Sequence, residues 1–136
     1  METKALNLFI VDDDKLLALE LKVHLHHKFG SDINISTFYD GESCLEKIDK
    51  TTQIVILDYF LDGKNGLDTL RLIKEKNPKT EVIMLSNSDD IVIAIETFRA
   101  GAKDYVIKGE GSLKTLSKLL TRIVTAPVRI IVKGFR

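Results

Sequence analysis

Short apolar runs and longer amphipathic runs alternate five times along the chain. "LNLFIV" (6–11) reads as a buried strand. Leu17, Leu21 and Leu25 then recur every four residues, the spacing of a helix face. "INISTF" (33–38) is a β-branched strand stopped by Asp40-Gly41, and residues 42–50 suit a short helix. "QIVILD" (53–58) is almost wholly apolar, as in a strand covered on both faces. Leu67, Leu70 and Ile73 continue as a helix that ends before Pro78. "EVIML" (81–85) is the fourth strand. Ile91, Ile95 and Phe98 form the apolar stripe of a fourth helix closed by Gly101, with Val92 and Ile93 off that stripe. "DYVIK" (104–108) is the fifth strand, and Leu113, Leu116, Leu120 and Ile123 mark the last helix.

Alternating strands and helices predict an α/β fold with a parallel sheet covered on both faces. In such sheets ligands bind beyond the carboxyl ends of the strands. The polar residues at those ends are therefore informative. Asp12, Asp13 and Asp14 follow the first strand, Asp58 ends the third, Ser86 the fourth and Lys108 the fifth. Like charges as close as Asp12 and Asp13 repel, and a hard divalent cation offsets that repulsion. Asp14 stands where a helix N-cap belongs. Asp58, at the end of the most apolar strand, is the natural centre. A carboxylate there can act as a nucleophile toward phosphorus. Phosphoryl transfer needs mainly positioning and charge neutralisation, which a cation, the Lys108 ammonium and the Ser86 hydroxyl would supply.

Composition narrows the setting. A chain of 136 residues suits one domain, and the formal net charge of zero advertises neither nucleic acid nor membrane. Six basic residues and no acid lie between Gly111 and Arg136, a solvated helix face and tail or a link to an acidic partner. Cys44 is the only cysteine and reads as a small buried hydrophobe. No signal-peptide pattern and no membrane-length apolar run is evident, so a cytoplasmic location is expected. His24, His26 and His27 are adjacent in sequence, but only 24 and 27 share a helix face, a poor metal site.

The motifs "IVDDD" (10–14), "VILDYFLDGKNG" (55–66), "IMLSN" (83–87) and "GAKDYVIKG" (101–109) resemble, in order and spacing, the receiver domain of bacterial two-component response regulators. That resemblance implies a flavodoxin-like doubly wound sheet with strand order 2-1-3-4-5, spanning residues 1–125, with 126–136 a tail or linker. It implies that Asp58 accepts a phosphoryl group from a histidine kinase or histidine phosphotransfer protein, in a Mg2+-dependent reaction. The metal ligands would be Asp12, Asp13, Asp58 and the Phe60 carbonyl, with Asp13 bound directly and Asp12 through water. Ser86 and Lys108 would assist the transfer. Ser86 and Tyr105 would form the switch, with Tyr105 turning inward to reshape the surface of helix 4, strand 5 and helix 5. An output partner or domain would bind there, the resemblance also allows a homodimer, and nucleic acid would not be contacted directly.

Three departures from the family pattern stand out. Asp62 occupies the place of a frequent proline four residues after the phosphoacceptor. Lys108-Gly109 replaces Lys-Pro, so a trans bond or a Gly109 with positive φ is expected. Asn87 replaces a small residue after the switch hydroxyl. A Mg2+-dependent phosphohydrolase is the rival reading. It would need an acid or base two residues beyond Asp58, where Phe60 stands. A vestigial interaction module is a third reading, opposed by the intact set of five polar residues. "VRIIVKGFR" (128–136) has no place in the five-repeat plan.

Overall fold

The computed structural model describes residues 5–62 and 65–125. Five strands and five helices alternate: β1 Leu6–Val11, α1 Lys15–Phe29, β2 Ile33–Phe38, α2 Gly41–Lys47, β3 Thr52–Asp58, α3 Gly66–Lys76, β4 Glu81–Ser86, α4 Ile91–Arg99, β5 Asp104–Ile107 and α5 Ser112–Val124. A single 3-10 turn, Gly30–Asp32, joins α1 to β2. The sheet is parallel throughout, in the order β2-β1-β3-β4-β5. The expected doubly wound α/β fold is therefore the observed one. Residues 126–136 lie outside the described residues.

The pleat of the strands sorts their side chains into two cores. Leu8, Ile10, Ile54, Ile56, Ile83 and Leu85 face one way and pack with Ala18, Leu21 and Leu25 of α1 and Leu116 and Leu120 of α5. Their neighbours Phe9, Val11, Val55, Leu57, Val82 and Met84 face the other way, against Leu67, Leu70 and Ile73 of α3 and Cys44 of α2. A central strand with both faces covered has no polar side to show, which is why β3 reads as an unbroken apolar run. Burial pushes the Cys44 thiol up to about 12, so it is an inert core residue.

Side-chain caps start four of the helices. Asp14 accepts from the N–H groups of Leu16 and Leu17, Asp40 from Ser43, Asn65 from Asp68 and Asp90 from Val92. The α4 cap is thus Asp90, the last of the polar residues 87–90 that follow β4. The second helix ends at Lys47 rather than 50. Asp49 turns the chain there by accepting from both the N–H and the hydroxyl of Thr51. Gly109 has φ 149° and no described peptide is cis, as expected for Lys108-Gly109.

The largest correction concerns α4. The stripe Ile91, Ile95 and Phe98 does not face the sheet; these residues are 69%, 43% and 48% exposed, and Val92 is 56% exposed. Thr97 is the buried residue of this helix, with Ile93 and Ala94 half-buried beside it. Thr97 satisfies its hydroxyl on the Ile93 carbonyl (2.8 Å), so a small polar residue costs little at the contact with the sheet. The periodicity marked a helix but pointed to the wrong face.

Candidate functional site

The sheet order reverses between β1 and β3, since β2 lies to one side of β1 and β3, β4 and β5 to the other. A crevice opens at that reversal, at the carboxyl ends of the strands. Asp12 and Asp58 stand on its two sides. Asp12 extends β1, its N–H donating to the Phe38 carbonyl (3.0 Å), and is 2% exposed. Asp58 is the last residue of β3 and is 3% exposed. Lys108 follows β5, held by its own N–H to the Ser86 carbonyl (2.7 Å). From there its ammonium reaches both acids, 3.2 Å from Asp12 Oδ2 and 3.2 Å from Asp58 Oδ2.

Asp13 completes the set. One carboxylate oxygen from each of Asp12, Asp13 and Asp58 lies within 4.8 Å of the others. This is the only such acidic, histidine or cysteine group among the described residues. The histidines take no part: His24 Nε2 lies 2.9 Å from the Ser117 hydroxyl, joining α1 to α5.

Three carboxylates and one ammonium leave the site net negative when all are ionised. The strain shows in Asp58, whose carboxyl is pushed up to about 6. Burial is the main cause and the Asp12 charge the second, while Lys108 and the Phe60 N–H pull the other way. For Lys108, burial works against the charged form, but Asp12 and Asp58 outweigh it and raise its pKa.

The donor set fits a hard divalent cation. All three side chains offer oxygen. Asp12 Oδ1 accepts from the Asp14 N–H (2.9 Å), whereas Asp12 Oδ2 is buried with the Lys108 ammonium nearby and no hydrogen bond of its own. That oxygen can accept a further hydrogen bond, which a water held by a bound cation would supply.

The remaining expected residues sit close by. Ser86 ends β4, fully buried, and its hydroxyl accepts from the Ser88 N–H (3.1 Å) rather than bonding an acid. The Tyr105 hydroxyl donates to the Ser88 carbonyl (2.7 Å), and the residue is half-buried against the second core. The Phe60 N–H donates to Asp58 Oδ1 (3.3 Å), which brings the Phe60 backbone beside the acid, while its ring is 49% exposed and lies edge-on to Tyr59.

Sequence reasoning missed two supports of the site. The Asp62 N–H donates to Asp13 Oδ2 (3.2 Å). Gly66 packs directly on the backbone of Asp58 and Tyr59. A glycine just before an apolar helical stripe was the available signal for the second. Nothing in a side-chain pattern signals the first.

A doubly wound parallel sheet that gathers buried carboxylates, a lysine and a hydroxyl at its switch point defines a phosphoryl-transfer class of α/β domain. The response regulator receiver domain family matches residues 8–121, and the chain belongs to that family. It is a receiver domain, the phosphoacceptor module of two-component signalling. The chain is 32% identical over 101 residues to the transcriptional regulatory protein CpxR of Escherichia coli, covering 74% of this chain and 42% of that one. It is 29% identical over 104 residues to the transcriptional regulatory protein TrcR of Mycobacterium tuberculosis, covering 76% of this chain and 39% of that one. It therefore spans about two fifths of the length of these relatives. Among solved structures it is similar to the response regulator DrrB of Thermotoga maritima, an OmpR/PhoB homologue (TM-score 0.75, 29% identity, 88% of this chain and 52% of that one). It also resembles the BeF3-activated DrrB receiver domain (TM-score 0.73, 29% identity, 88% and 97%).

The raised Asp58 carboxyl has a consequence for stability. Its folded value of about 6 lies above the ordinary 3.8, so the native state binds this proton more tightly than the unfolded chain. Without metal, stability is then lost as pH rises from about 4 to about 6 and stays at the lower level above that. The loss is expected to be about 3 kcal/mol. Asp58→Asn has no such proton, so its advantage over wild type should grow across the same window. Urea midpoints of both proteins in EDTA, at several pH values, measure this. A constant difference between them would show that Asp58 carries no such strain.

Proposed function

We propose that Asp58 is the phosphoacceptor of this receiver domain and that Asp12, Asp13, Asp58 and the Phe60 carbonyl hold a Mg2+ ion beside it. Asp13 binds directly and Asp12 through water. The observation that carries this reading is the Lys108 ammonium lying 3.2 Å from both Asp12 and Asp58 at the point where the sheet order reverses. Bound Mg2+ would neutralise charge on the transferred phosphoryl oxygens. An Asp58 oxygen forms the new bond to phosphorus as the bond to the donor's imidazole nitrogen breaks, and that nitrogen keeps the electron pair. Lys108 then pairs with the phosphoryl group and Ser86 donates a hydrogen bond to it. The donor is a histidine kinase or a histidine phosphotransfer protein, and the setting is the cytoplasm.

In this reading Ser88 is the junction of the switch. Ser86 holds its N–H and Tyr105 holds its carbonyl, so one peptide lies between the hydroxyl and the ring. A Ser86 drawn toward the phosphoryl group releases the Ser88 N–H and alters the start of α4. The output partner meets the face built from α4, β5 and α5, where Ile91, Val92, Ile95, Phe98 and Ile107 are exposed. Residues 1–125 form the receiver, and 126–136 a tail or link to an output.

Incubation with acetyl phosphate and Mg2+ tests the proposal. One phosphoryl group per chain, stable after removal of the donor and absent without Mg2+, is expected. Continuous release of inorganic phosphate would instead support a phosphohydrolase, and the absence of both incorporation and release a vestigial site.

A further inference from the structure

We propose that the backbone N–H of Asp62 positions Asp13 for the cation, tying the loop after β3 to the metal site. The inference rests on the reading above that Asp13 is a direct ligand. Asp12 is locked by burial, by the Asp14 N–H and by Lys108. Asp13 is not: it is half-buried, and its side chain is free to turn toward solvent unless something holds it. The hydrogen bond found on it is the Asp62 N–H to Oδ2, at 3.2 Å and across 49 positions of sequence. A carboxylate anchored through one oxygen presents the other in a defined direction. Such outer partners of metal ligands commonly contribute tenfold or more to affinity. The donor is a main-chain group, so every residue type at position 62 supplies it except proline. The presence of Asp62, where receivers often carry proline, is therefore what permits this contact. The Asp62 side chain itself is exposed, and its charge is a separate and screened influence.

Mg2+ titrations by calorimetry on wild type, Asp62→Ala, Asp62→Pro, Asp13→Ala and the double variant Asp13→Ala/Asp62→Pro separate these effects, with folding checked by circular dichroism. Asp62→Pro is expected to weaken Mg2+ binding about tenfold, the low end for such a partner because Asp13 is only half-buried. Asp62→Ala keeps the N–H and should change affinity less than about threefold. On the Asp13→Ala background the proline should cost nothing more. Wild-type affinity in Asp62→Pro, or an equal loss in Asp62→Ala, or a full proline effect without Asp13, would each overturn the tether. If Asp13→Ala weakens binding while Asp62→Pro does not, the tether alone fails. If Asp13→Ala leaves the affinity unchanged, its role as ligand fails as well. Should the proline variant not fold, the amide proton of Asp62 in the wild-type NMR spectrum gives the answer. It should move upfield in metal-free Asp13→Ala, and an unmoved signal would overturn the proposal.

Discussion

Asp58→Asn is expected to reduce labelling by acetyl phosphate to background while raising the stability of the metal-free protein. The two effects share one cause. Asp58 is the carboxylate both paired with Lys108 and raised by burial and by Asp12, so it alone combines a central position with a charge the fold tolerates poorly. Asparagine keeps the shape and loses the negative charge. It cannot form the acyl phosphate, and it relieves the repulsion from Asp12. Labelling should fall at least about a hundredfold, equivalent to roughly 2.7 kcal/mol or more of barrier. At neutral pH in EDTA the variant should be more stable by about 3 kcal/mol. Phosphate incorporation and urea midpoints on the same samples measure both. Undiminished labelling would remove Asp58 from its proposed role, and a destabilised variant would mean that its charge is well accommodated.

Gly66→Ala is expected to cost about 3 kcal/mol of stability and to slow labelling of Asp58, although alanine is the better helix former by about 1 kcal/mol. The reason is contact rather than backbone conformation. Gly66 does not have positive φ, but a Cβ on it would lie 2.4 Å from the Asp58 carbonyl oxygen and 2.7 Å from Tyr59 Cα. Both are main-chain atoms, so no side chain can swing aside. The Gly66 N–H also donates to the Tyr59 carbonyl at 2.6 Å, which holds the start of α3 against the end of β3. An added methyl must push α3 away or shift the backbone that aims Asp58. Chemical denaturation and the rate of incorporation from acetyl phosphate test this together. Stability within about 0.5 kcal/mol of wild type would mean that the helix start relaxes freely.

Much of the architecture was legible because its causes are local. β1 and β2 begin and end where their predicted runs do: β1 turns wholly apolar where the sheet covers it, while the edge strand β2 alternates β-branched residues with the polar Asn34 and Ser36. Asp14 and Asp40 cap the helices that follow them because their side chains reach N–H groups two and three residues on. The strand-end residues Asp12, Asp58 and Lys108 were found by the same logic, and the parallel sheet then brings those ends together.

Other features depended on groups distant in sequence. The apolar stripe of α4 identified the helix, yet the sheet took the side carrying Thr97. Periodicity says that a helix has an apolar face; the neighbouring elements decide which face is covered. Tyr105 was legible as an aromatic on the last strand, but its inward bond to Ser88 depends on how the loop after β4 passes over it. The Asp62 amide carries no side-chain signature, and its partner Asp13 lies in another loop. The sequence by itself determined the strands, the helices, the Asp14 cap and the residues at the strand ends, because each rests on contacts within a few positions. The tertiary structure alone decided which face of α4 stays open, where Tyr105 points and which N–H holds Asp13, because each requires two loops or layers to meet.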